Sequence, residues 1–69
     1  MIYVFHENQL IFKGDKMGFN SIPKHSYVYH DIYREWSVKY ERNYLRPIKD
    51  KHLPKELKVM CLIYGIPLK

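Results

Sequence analysis

The sequence predicts a small α+β domain, and three stretches carry that expectation. "EWSVKYE", residues 35–41, alternates apolar and polar side chains with period two, the mark of a strand with one face in a core. "LPKELKVMCLIYG", residues 53–65, opens on Pro and closes on Gly, as helices do. "IYVF" and "LIF", residues 2–5 and 10–12, are β-favouring runs set on either side of "HENQ". The chain has 69 residues, so residues 1–69 form a single domain. The expected arrangement is two β-hairpins forming an antiparallel sheet, with a short middle helix and a C-terminal helix packed on it.

In order along the chain, residues 2–13 read as the first hairpin, with Asn8 suited to its turn. "GDKMGFNSIPKHS", residues 14–26, is rich in turn formers and reads as a loop, with Phe19 and Ile22 as its anchors on the core. "SYVYHDIY", residues 26–33, fits two patterns. Tyr29, Tyr33, Trp36 and Tyr40 lie along one helical face. A strand through Val28, Ile32, Trp36 and Val38 would place His30 and Arg34 on the apolar side, so a helix from Ser26 to Tyr33 is expected. In 35–41, Trp36, Val38 and Tyr40 then face the core, while Glu35, Ser37, Lys39 and Glu41 face water. "YLRPI" follows as a second strand, where Pro47 marks an edge or an end. In the last helix Pro54 suits the first position, Glu56 complements the N-terminal dipole and Gly65 ends it. Beyond Lys58 that helix is apolar on every side, so its second half is expected to be buried, against the sheet or in a partner such as a second copy.

Composition narrows the classes. A chain of this length supplies only roughly 3–5 kcal/mol of net stability from its core. One cysteine, Cys61, leaves no internal disulfide and points to a reducing, cytoplasmic setting. Aromatic packing is the compensation on offer, from seven Tyr, three Phe and one Trp. No signal-peptide pattern opens the chain. The longest apolar run, residues 59–68, is far below the ~18–20 residues that span a bilayer, so no membrane is expected.

The chemistry-bearing residues are sparse. His6, His25, His30, His52 and Cys61 have no recognised metal-ligand spacing, so no metal or cofactor is expected. Cys61 sits in "VMCLIY", where a thiol behaves as a small hydrophobe. His30, Asp31, Tyr33 and Arg34 stand together, and a base, a carboxylate and a phosphate-binding Arg would serve a small metal-independent ribonuclease. The same residues also read as an ordinary surface, and no enzyme is expected.

Charge is the remaining signal. The net charge is +5, and residues 1–38 balance to zero while residues 39–58 carry +4. Arg42, Arg46, Lys49, Lys51, Lys55 and Lys58 can form one stripe over a turn, a connector and the start of the last helix, with Tyr44 available to stack on a base. These seven are the candidate binding residues. They suggest a small basic binding protein for a polyanionic surface, either nucleic acid or the acidic face of a nucleic-acid-handling protein. The alternative is an inhibitor that blocks a host or defence protein by direct binding. Lys, Asn, Ile, Tyr and Phe fill 29 of 69 positions, as in the AT-rich genomes of phages and mobile elements that encode such inhibitors.

Overall fold

A computed structural model describes residues 1–40 and 45–68, the side chain of Phe19 excepted. Five strands form one antiparallel sheet: β1 (Ile2–His6), β2 (Gln9–Gly14), β3 (Tyr27–His30), β4 (Glu35–Lys39) and β5 (Leu45–Ile48). Their spatial order is β2-β1-β3-β4-β5. One helix, α1 (Lys55–Tyr64), follows β5 after a single 3₁₀ turn at Asp50–His52.

The N-terminal hairpin forms where the sequence places it. Its two-residue turn holds Glu7 at φ 52° and Asn8 at φ 63°. Positive φ at both central residues is what a hairpin turn matched to strand twist requires, and Asn tolerates it better than most residues. Val4 pairs with Phe12 and Phe5 with Leu10, which leaves Ile11 as an extra residue in β2. That bulge twists the outer edge of β2 and makes it a poor template for a further strand.

The expected middle helix is instead strand β3, and the reason lies in its position. β2 leads through residues 15–26 across the sheet, because β3 sits on the far side of β1. This crossover includes a 3₁₀ turn at Phe19–Ser21 and lays Ile22 on Val4 and Val28. The other sheet face carries Phe5, Tyr29 and Trp36 against Leu57 and Cys61 of α1. β1 and β3 are therefore covered on both faces: Val4 and Phe5 are both buried, as are Val28 and Tyr29. A strand covered twice shows no alternation, so period two is absent from "SYVYH". The His30 and Arg34 mismatch disappears too. The strand stops at His30, and residues 31–34 form a turn that resets the parity before β4.

The double cover also corrects the expectation for β4. Trp36 and Val38 are buried as predicted. Lys39, expected in water, is only 2% exposed and donates from Nζ to the Ile22 carbonyl at 2.6 Å. Its stem lies under the crossover, and its main chain bonds Ser26 and His25. Tyr40, expected in the core, follows the strand and is exposed.

Pro47 is on an edge strand, as its chemistry suggests. The Lys39 amide and carbonyl both bond toward β3, so by alternation Trp36 and Val38 exchange their bonds with Ile48 and Arg46. Pro47 then faces outward, where its missing N–H removes no ladder bond and blunts the edge.

Pro54 occupies the N-cap of α1, one place earlier than expected, and Glu56 lies in the first turn. Gly65 ends the helix at φ 71°, the left-handed conformation that glycine adopts without a Cβ clash. The Ile66 amide bonds the Cys61 carbonyl at 2.8 Å and the Gly65 amide bonds Leu62, which satisfies two terminal carbonyls. The second half of α1 is covered by the sheet on one side only. Cys61 is fully buried, but Val59, Leu62 and Ile63 face outward. No helix among the described residues is long and apolar enough to cross a membrane.

A candidate polyanion-binding groove

Strand register brings two separate turns together. Trp36 pairs with Ile48, so the residues just before β4 lie beside those just after β5. Arg34 and Glu35 come from one side; Lys49, Asp50 and Lys51 come from the other. The 3₁₀ turn is closed by His52 N–H to the Lys49 carbonyl at 2.9 Å and Leu53 N–H to the Asp50 carbonyl at 3.1 Å. Buried Leu53 anchors it below, which leaves Lys51 and His52 outside. Between the two sides runs a groove of about 680 Å³ whose walls include Trp36, Pro47 and Ile48. Its apolar floor and charged rim are the usual composition of a binding site of this size.

Three of the groove's charged residues are cations, Arg34, Lys49 and Lys51, and two are carboxylates, Glu35 and Asp50. Lys58 joins them at the side, with Nζ 3.5 Å from the Lys51 carbonyl. The charge of Asp50 is also felt beneath α1. Burial pushes the Cys61 thiol up to about 11, and Asp50 adds to that shift. Tyr29 is raised as well, first by burial, against the opposing charge of Arg34.

Arg34 is held at φ 54°, in the left-handed region. A side chain there costs about 1–2 kcal/mol, and Gly or Asn normally takes such a position. Strain of this kind at the junction of two walls is a reason to look for function.

Of the seven residues named from sequence, the structure brings Lys49 and Lys51 into the groove and sets Lys58 beside it. Arg46 is exposed on β5 and Lys55 is exposed at the start of α1; neither lines the groove. Arg42 and Tyr44 lie outside the described residues. In the sequence Arg34 stands beside the His30–Asp31 cluster, and only the β4–β5 register brings it to Lys49 and Lys51. Within that cluster, Asp31 Oδ1 accepts from the Met1 ammonium at 2.8 Å. Among the described residues no hydrogen bond joins His30 to Asp31 or Tyr33, and no three His, Cys, Asp or Glu side chains converge.

Arg34 also borders a smaller notch of about 230 Å³ with Tyr3, Tyr29, Asp31 and the Gly65–Pro67 end of α1. The rings nearest the groove are committed to the core, with Tyr29 and Trp36 5.0 Å apart and Phe5 and Trp36 5.8 Å, while Tyr33, Tyr40 and Tyr64 are exposed but do not line it. Comparison of the chain with protein-family models, with curated proteins and with solved structures found no match.

Proposed function

We propose that the chain is a non-enzymatic, cytoplasmic binding protein that engages a polyanionic surface, nucleic acid or the acidic face of a nucleic-acid-handling protein. Contact is through the groove between the β3–β4 turn and the β5–α1 connection. The observation that carries the reading is the convergence of Arg34, Lys49 and Lys51 on that groove from two turns far apart in sequence. Cations outnumber carboxylates by three to two along the groove, Lys58 stands beside them, and Arg34 holds its place there in a left-handed backbone conformation. An anionic partner accounts for both.

A second reading, inhibition of another protein by direct binding, has its own support. Phe5, Tyr29 and Trp36 are buried and offer no stacking platform, while the groove pairs an apolar floor with carboxylates that repel a phosphate backbone. Those features suit a protein surface that sets an apolar side chain among charges of both signs.

The test is a titration of Lys49→Glu/Lys51→Glu beside wild type, against a single-stranded oligonucleotide and against an acidic peptide. Both substitutions are at exposed positions, so the melt should stay within about 2 °C. Affinity for the true class of ligand should fall by at least about tenfold as attraction becomes repulsion. His30→Ala and Asp31→Ala should leave that affinity unchanged. A folded double variant that binds like wild type would remove the groove from the account.

A further inference from the structure

Opposite charges share the groove without pairing. One step along the ladder from Trp36 and Ile48, Glu35 stands across from Lys49. Both are exposed, as are Arg34 and Lys51 on the same rim. Among the described residues, none of these four side chains makes a hydrogen bond or an ion pair. Asp50, the other carboxylate, is half-buried and already engaged within the protein. A wall built for phosphates alone gains nothing from an open carboxylate such as Glu35. A ligand that both accepts and donates uses both walls.

We infer, resting on the polyanion reading of this groove, that it seats one unpaired guanine of a single-stranded nucleic acid and reads the base along its edges. Guanine N7 and O6 accept, and Lys or Arg is their commonest partner, which is the role of Lys49. Guanine N1–H and N2–H₂ stand side by side and donate, so both reach the two oxygens of one carboxylate, the role of Glu35. The other bases lack that pair of donors. Adenine N1 and cytosine N3 are acceptors beside a single amino group, and uracil sets a carbonyl on each side of its one N–H. Each would turn an acceptor toward the Glu35 carboxylate.

The floor fits the same occupant. Pro47 and Ile48 give an apolar surface for the face of the base, in a groove of about 680 Å³. Among the described residues no exposed aromatic ring lines it, so the base gains little from stacking, which tolerates any base. Selectivity then rests on the edges. The occupant is a strand rather than a lone nucleotide because the cations continue past the groove. Lys58 stands beside Lys51, and Lys55 is exposed at the start of α1. With Arg34 and Lys51 they offer contacts to several successive phosphates, and a single phosphate would leave most of them unused.

Titration of the full chain with short oligouridylate strands carrying one central guanine, adenine or hypoxanthine tests this. The guanine strand should bind at least about tenfold tighter than the adenine strand, and hypoxanthine, which lacks the 2-amino group, should fall between them. Glu35→Gln should remove most of that preference and tighten binding of the adenine strand, because a negative charge has left the wall. Its melt should stay near that of wild type, since Glu35 is exposed. Guanosine 5′-monophosphate should compete only weakly, and competition at the strand's own affinity would overturn the strand as occupant. Equal affinity for the three strands, or a guanine preference that Glu35→Gln retains, would overturn the inference. If Lys49→Glu/Lys51→Glu still weakened every strand in that case, the polyanion groove would stand without it. No binding of any strand at low salt would remove the nucleic-acid reading of the groove and this inference together.

Discussion

Replacing Trp36 tests the core directly, because the same residue floors the groove. The indole is 2% exposed, packs on Tyr29 and Phe5, and buries an Nε1–H that has no acceptor among the described residues. Trp→Ala in a core removes about 3–5 kcal/mol. Loss of the unpaired N–H returns part of its desolvation, about 1–3 kcal/mol, so the lower half of that range is expected. A chain this small holds roughly 3–5 kcal/mol in total, which leaves Trp36→Ala largely unfolded. Trp36→Phe separates the two contributions. It leaves a cavity of roughly 40 Å³, about 1 kcal/mol at 24 cal/mol per Å³, and relieves a donor penalty of similar size. Its stability should match wild type within about 1 kcal/mol, or roughly 4–8 °C in Tm. Urea unfolding followed by far-UV circular dichroism measures both variants without the lost fluorophore. A cooperative Trp36→Ala melt near the wild-type temperature would refute the core assignment. A Trp36→Phe loss above about 2 kcal/mol would refute the unpaired donor.

Three further perturbations separate fold from function. Arg34→Gly should raise stability by up to about 1 kcal/mol by relieving the left-handed strain, yet weaken polyanion binding; lower stability in a thermal melt would show that Arg34 serves the fold. Lys39→Met should lose about 1.5–3 kcal/mol with the bond to the Ile22 carbonyl, and Lys39→Glu should not fold because it sets a buried carboxylate against that carbonyl; a wild-type melt for Lys39→Glu would contradict the burial. The Cys61 thiol is raised from 9.0 to about 11 in the fold, so the unfolded chain loses its proton first. The stabilisation tied to that proton is complete below pH 9.0 and disappears as pH rises through about 11. Urea titrations of wild type and Cys61→Ala should therefore converge across that window, and parallel curves would argue against a buried thiol.

What the sequence revealed depended on how many faces each element buries. β4 was legible from Trp36 and Val38 because its alternation is sharp, and α1 from Pro54 and Gly65 because caps are local chemistry. The Glu7–Asn8 turn and the edge position of Pro47 were local in the same sense. β3 was hidden because the crossover and α1 cover both its faces, which erases the period-two signal. The burial of Lys39 follows from the same cover, and no pattern within β4 announces it. The outward stripe on α1 is the opposite case: Val59, Leu62 and Ile63 are apolar enough for a core, but the sheet covers only the Leu57 and Cys61 side of the helix. For the groove, Lys49, Lys51 and Lys58 were visible as a charge run, but Arg34 joins them only through the pairing of Trp36 with Ile48.

The salt dependence of ligand affinity, read for wild type beside Lys49→Glu/Lys51→Glu, tests the central claim most directly. Arg34, Lys49, Lys51 and Lys58 are the cations in and beside the groove. If they neutralise the phosphates of a single strand, log K should fall against log salt with a slope of about −2 to −3, and the double variant should flatten it by at least about 1. If the partner is an acidic protein surface, the oligonucleotide should bind poorly while the acidic peptide binds in low salt and is released as salt rises. Absence of saturable low-salt binding to either ligand, or a salt slope that the double variant leaves unchanged, would contradict the proposal that this groove recognises a polyanion.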